Sequence, residues 1–234
     1  MGAFVLVPGA WHGGWCYGRV ANLLRAAGHD AYTPTLTGLG ERGHLAGMPI
    51  SLRTHVADII GVIEYEDLSD VVLCGHSYAG MVITGVAAAL GDRIRSLVYL
   101  DGRVPDDGVA LLDLISAGQR EYVLTAAKTG GVIGPLPAAA FGLTGDDASW
   151  VDSKCTPQPV LTFVESVRLT GREKEVPNHT YVRAIRYEDA GLTALYERFS
   201  KDPLWKAVTI DSGHEMMIEN PKELSKVLLG ELVR

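Results

Sequence analysis

Short, continuously apolar runs alternate along the chain with longer amphipathic ones. Residues 4–7, 71–74, 97–100, 181–185 and 207–210 are runs of four or five residues rich in Val, Ile and Leu. Residues 15–27, 52–63, 81–90 and 224–233 instead carry apolar positions at helical spacing. Continuous β-branched runs read as strands buried on both faces, and helices alternating with them predict an α/β fold with a parallel sheet covered on both sides. Ser51 stands where the second helix needs an N-cap, and Gly28 stands where the first needs to stop.

The alternation breaks between Arg103 and Asn178, a stretch of 76 residues. Its middle, 124–143, holds a single charge, Lys128, among Ala, Gly, Pro and apolar residues. Such a stretch is too apolar for a linker and too irregular for strands. The expected division is therefore a core of residues 1–102 and 179–234 with residues 103–178 inserted as a lid. Ordinary helices packing on the core would have the same composition.

Composition narrows the function classes. With 47% hydrophobic and 21% charged residues in 234, the chain is too apolar for disorder and of a length that suits one domain. A formal charge of −7 without Lys/Arg runs argues against nucleic acid and anionic membranes, both of which select concentrated positive charge. Cys16, Cys74 and Cys155 form no CxxC pair and fit free thiols in a reducing compartment. The first strand begins at Phe4, before any signal segment fits, and no apolar run approaches the ~18 residues of a membrane span. A soluble, cytoplasmic protein is expected, with the oligomeric state open and a homodimer among the options. The histidines and cysteines show no metal-site spacing, so no metal or organic cofactor is expected. Gly38-Leu39-Gly40-Glu41-Arg42-Gly43 spells GxGxxG, but it follows the second strand and runs into Gly47 and Pro49, which is not the setting of a dinucleotide site.

The most informative stretch is Val71-Val72-Leu73-Cys74-Gly75-His76-Ser77-Tyr78-Ala79-Gly80-Met81, a buried strand running through Gly-x-Ser-x-Ala-Gly into a helix. Small residues at Gly75 and Ala79 let the chain turn tightly there and leave the Ser77 hydroxyl exposed as a nucleophile. The Tyr78 N–H would lie at the helix N-terminus, where unpaired donors favour an oxyanion. A serine nucleophile needs a base. His214 follows the strand at 207–210, at the carboxyl edge of the sheet, and comes after the serine in the chain. His76 would point away from Ser77, and His29, His55 and His179 lie in helix or strand edges. The orienting acid is Asp101 or Asp189. Asp101 is preferred, because a carboxylate ending an apolar strand is a costly placement that function would explain. After the first strand, Pro8-Gly9-Ala10-Trp11-His12-Gly13-Gly14-Trp15 forms a glycine-rich turn that would offer the Ala10 N–H as a second oxyanion donor.

These residues carry a resemblance. Val5 to Trp15, Leu36-Thr37-Gly38-Leu39-Gly40, Gly75-His76-Ser77-Tyr78-Ala79-Gly80 and Gly213-His214 with Pro221-Lys222-Glu223-Leu224 resemble the α/β-hydrolase superfamily. Within it they are similar to the plant hydroxynitrile lyase, methylesterase and salicylate-binding group and its bacterial carboxylesterase relatives. The resemblance implies a six-stranded, mostly parallel core with an inserted cap. It also implies Ser77 as nucleophile, His214 as base, Ala10 and Tyr78 as the oxyanion hole, and Trp11 and His12 as substrate-binding residues. The plant enzymes place the acid in a loop like that of Asp189, whereas bacterial relatives carry a motif like Tyr99-Leu100-Asp101. Lyases of this type have a threonine where this chain has Gly9 and a lysine where it has Glu215. The expected activity is therefore a serine carboxylesterase acting on a small, largely apolar ester. The alternatives are a hydroxynitrile lyase-like C–C lyase and a small-molecule binding protein with vestigial hydrolysis. The aromatics Trp11, Phe141, Trp150 and Phe163 are candidates for the pocket wall.

Overall fold

The structure, a computed structural model, describes residues 2–233. Strand β1 (Ala3–Val7) leads through a tight turn into helix α1 (Gly18–Ala26) and strand β2 (Asp30–Tyr32). The expected helix at 15–27 opens as a tight 3-10 turn, Gly14–Tyr17, before the α-helix proper; Gly14 itself is pressed against another backbone, where a Cβ would come within 1.8 Å of the Thr33 carbonyl oxygen. Helix α2 (Leu52–Tyr65) begins after Ser51, whose N–H donates to Thr54 Oγ1 at 3.2 Å, and buries the stripe Leu52, His55, Ile59 and Ile63. Then come β3 (Val71–His76), α3 (Ala79–Leu90) and β4 (Ile94–Leu100).

The 76-residue segment follows. It holds α4 (Leu111–Leu114), α5 (Ala117–Thr129), β5 (Val132–Ile133), α6 (Gly145–Asp152), β6 (Gln158–Pro159) and α7 (Leu161–Val164), with β5 and β6 paired antiparallel. The chain returns through β7 (Asn178–Ala184), α8 (Ala190–Phe199), β8 (Trp205–Ile210), α9 (Met216–Glu219) and α10 (Pro221–Gly230).

Among the described residues six strands form one sheet in the order β2-β1-β3-β4-β7-β8, and every pairing is parallel, where the resemblance implied a mostly parallel sheet. The strand period of two sorts their side chains. Val5, Val7, Leu73, Leu97, Tyr99 and Tyr181 face one layer with α2 and α3, while Phe4, Leu6, Val72, Cys74, Val98 and Val182 face the other with α1 and α10. Helix α3 is buried from Ala79 to Ala88, and its small residues allow close approach: a Cβ on Gly85 would meet Val56 of α2 at 2.8 Å. The GxGxxG pattern lies after β2, and not at the end of β1: Gly38 and Leu39 form a turn that leads into a short tight helix, Gly40–Leu45, holding its last four residues. No described helix is long and apolar enough to cross a membrane.

The inserted segment lies over the carboxyl ends of the strands. Trp11 Nε1 donates to the Ile133 carbonyl at 3.0 Å, Thr156 N donates to the Trp11 carbonyl at 3.0 Å, and His214 N donates to the Phe141 carbonyl at 2.9 Å.

Candidate active site

Ser77 sits at the corner between β3 and α3 with φ +52°, a left-handed conformation that costs a non-glycine residue of order 1–3 kcal/mol and clusters at functional sites. Neighbours over-determine this conformation. Ser77 N donates to the Leu100 carbonyl at 3.0 Å, and the Ser77 carbonyl accepts from Gly80 N and Arg103 N, both at 3.1 Å. A Cβ on Gly75 would come within 2.7 Å of the Ala79 carbonyl oxygen, as the motif requires. At this corner the tightest approach falls at Gly80, where a Cβ would stand 2.1 Å from the Arg103 carbonyl oxygen. Tyr78 is the N-cap of α3, so its N–H has no helical carbonyl to pair with. Its hydroxyl is 2.8 Å from His55 Nδ1, and its ring stacks on Phe163.

The two candidate acids are separated by geometry. His214 Nδ1 lies 3.0 Å from Asp101 Oδ2, and Asp101 is fully buried. Asp101 follows β4 at φ +41° and also accepts from Arg183 Nη1 at 3.0 and 3.2 Å and from Ala184 N at 3.1 Å. Asp189 instead caps α8 by accepting from Leu192 N at 2.9 Å and pairs with Arg103 Nη2 at 2.6 Å. Ser77 Oγ makes no hydrogen bond to His214 here; catalytic hydrogen bonds are commonly long until substrate binds. The imidazole is held between Tyr187, stacked at 4.4 Å, and Phe141 at 5.6 Å. Glu219 steadies its loop by accepting from Ser212 Oγ at 2.9 Å and from Gly213 N.

The turn after β1 carries a third strained residue, Trp11 at φ +66°. Gln158, wholly buried in the inserted segment, accepts the Trp11 N–H at 2.8 Å and thereby fixes the Ala10–Trp11 peptide. Neither Gln158 nor Tyr187 stands in a motif that marks it as a support. His12, expected to bind substrate, lies outside the cavity. Its Nδ1 is 2.8 Å from the Ala10 carbonyl, and its Nε2 is 3.7 Å from Glu215 Oε1. Only its first turn of chain, through Ala10 and Trp11, reaches the cavity.

His76 does point away from Ser77, as expected, and donates from Nε2 to the His214 carbonyl at 3.0 Å. Burial pushes His76 down to about 3, so it is neutral. Burial raises the Glu215 carboxyl, but the neighbouring histidines, His12 foremost, outweigh it and hold the group below its ordinary value. Glu215 does not line the cavity, so its carboxylate would not meet a leaving group directly. The cation at the cavity wall is Arg103.

The cavity, about 70 Å³, brings together Ala10, Trp11, Ser77, Tyr78 and His214 at the carboxyl ends of β1, β3 and β8. Phe141 and Phe163 line it as well; Trp150 does not, and packs edge-on against Trp15 at 5.0 Å. Ligands in open parallel sheets bind at this edge, where the strand order reverses about β1 and β3. No group of three His, Cys, Asp or Glu side chains suited to a metal ion occurs among the described residues.

A family model described as the alpha/beta hydrolase family matches residues 4–227. The chain belongs to that family. A carbendazim hydrolyzing esterase from Nocardioides sp. is 40% identical over 97% of this chain and 98% of its own length. Among solved structures, an extracellular alpha/beta-hydrolase from a Paenibacillus species superposes with TM-score 0.83, covering 99% of each chain at 20% identity. The Arabidopsis methylesterase MES16 superposes with TM-score 0.79, covering 100% of this chain and 99% of its own at 21% identity. At those identities the two structures establish the fold alone. This alpha/beta hydrolase thus has an esterase as a full-length relative.

Proposed function

We propose that this alpha/beta hydrolase is a serine carboxylesterase. The observation that carries the reading is the bond between His214 Nδ1 and buried Asp101, at the strand edge that also holds the strained Ser77 corner. In this reading Asp101 fixes the tautomer that leaves His214 Nε2 free to take the Ser77 proton. Ser77 Oγ attacks the ester carbonyl, and the N–H groups of Ala10 and Tyr78 receive the oxyanion. His214 protonates the departing alcohol, then activates the water that releases the acid. The inserted segment serves as a cap whose Ile133, Phe141 and Phe163 shape an apolar pocket and exclude water. A small, largely apolar ester fits such walls, and the full-length relative makes carbendazim the first compound to try.

The test is turnover of a short p-nitrophenyl ester together with labelling by an organophosphate. Wild type should turn over and label; Ser77→Ala should do neither while keeping its circular dichroism spectrum. Undiminished turnover by Ser77→Ala would refute the assignment, and saturable ligand binding without turnover would favour a binding protein instead.

A further inference from the structure

Arg103 is the first residue of the inserted segment, and the mechanism above does not use its side chain. Its backbone is fixed by the bond from its N–H to the Ser77 carbonyl and by the close approach of Gly80. Its side chain lines the same cavity as Ser77 and His214 and is only 9% exposed. The cavity wall is mostly apolar, with Leu111, Ile115, Val123, Leu136 and Leu192; Gln119, Tyr122 and Tyr187 add polar atoms, and Arg103 is its one lysine or arginine. Its one side-chain hydrogen-bond partner among the described residues is Asp189, at 2.6 Å. Both Asp189 carboxylate oxygens are engaged, since the other accepts from Leu192 N.

A guanidinium has five donors, and one is occupied here. Gly191 leaves room beside the fork: a Cβ there would come within 2.6 Å of Arg103 Nη1. Burying an ion pair in an apolar wall is a poor way to gain stability, since well-packed apolar residues serve as well or better. The arrangement does serve recognition. Asp189 cancels the net charge, so an anionic ligand would lose its hydration for little attraction. An uncharged acceptor would gain a charge-assisted hydrogen bond while its apolar body filled the rest of the cavity.

We infer that Arg103, held by Asp189, is a specificity-determining residue that binds an uncharged hydrogen-bond acceptor, a carbonyl oxygen or ring nitrogen, on an otherwise apolar aromatic substrate. The inference rests on the esterase reading for what the cavity binds. The competing account is a strut that ties the exit of β4 to α8 and touches no ligand.

The experiment compares ethylbenzene with 2-, 3- and 4-ethylpyridine, matched in size and differing in one ring nitrogen, at a pH where the pyridines are uncharged. Binding is read by calorimetry on wild type and on Arg103→Met/Asp189→Asn, which removes both charges and keeps the helix cap. Wild type should bind at least one ethylpyridine roughly tenfold more tightly than ethylbenzene, and the double variant should show no such margin. Arg103→Lys, which keeps the ion pair but loses the planar fork, is the second variant and should shrink the margin. No margin in wild type, or an equal margin in the variants, overturns the inference; a strut would lower thermal stability and leave the ratio unmoved. Turnover of methyl benzoate by wild type and not by Ser77→Ala scores the esterase reading separately. An Arg103-dependent margin without turnover sinks that reading alone, and turnover without the margin sinks this one alone.

Discussion

Three non-glycine residues in left-handed conformations, Trp11, Ser77 and Asp101, stand at the ends of three neighbouring strands. Each holds a different part of the proposed chemistry: the oxyanion turn, the nucleophile and the acid. Asp101 carries two duties, orienting His214 and neutralising Arg183, and the two come apart on substitution. Asp101→Asn should lower kcat by on the order of 10⁴-fold, because the amide favours the wrong histidine tautomer. It should also cost about 3 kcal/mol or more, because Arg183 loses its buried partner. Rates on folded enzyme and urea unfolding measure the two effects separately. Asp189→Asn keeps the α8 cap and should leave kcat for an apolar ester within a few-fold of wild type. At this scale the sequence pointed to the proposed nucleophile and base through their position after strands, and it preferred Asp101 to Asp189 without separating them, because both aspartates follow strands. What it could not display was the set of supports, Gln158, Tyr187 and Glu219, whose roles depend on contacts across long stretches of chain. The same blindness placed His12 in the pocket, since a glycine-rich turn shows which residues it contains and not which way an imidazole faces.

At the scale of elements, helix packing is set by where glycine is tolerated and where it is required. Gly61 lies inside α2 with nothing within 4 Å of an added Cβ, so Gly61→Ala should raise stability by about 0.5–1 kcal/mol through helix propensity alone. Gly80 is the opposite case. Its Cβ would collide with the backbone at Arg103, so Gly80→Ala should lower stability by roughly 1–3 kcal/mol and reduce kcat as the Ser77 corner shifts. Midpoints of thermal unfolding and initial rates check the pair. The core strands and long helices were legible because burial on both faces writes continuous apolar runs and helical stripes into the chain. The inserted segment was legible only as an interruption. Helices α4, α6 and α7 run to eight residues or fewer, and the longer α5 buries only Val123, so periodicity carried little information there.

For the whole molecule, acid sensitivity follows from histidines buried without charge. His76 titrates near its ordinary 6.5 when unfolded and near 3 when folded, so the unfolded chain binds more protons between those values. The stability it contributes is complete above about pH 6.5 and is lost as pH falls toward 3. Burial lowers His55 as well, with the same sign. Urea unfolding at pH 5 should give a free energy about 2 kcal/mol below that at pH 7 on account of His76, and His76→Asn should flatten that difference. The sheet order bears on how the molecule is made. Neighbouring strands β4 and β7 are separated in the chain by the entire inserted segment. During synthesis, Ser77 emerges with its strand well before His214, so a nascent chain carries an inert serine. Over the same interval β4 waits with one edge unpaired, and an unpaired apolar edge recruits strands from other chains. Slowed translation through residues 103–178 would lengthen that exposure, which makes this stretch the point at which chaperone capture or aggregation of half-made chains should concentrate.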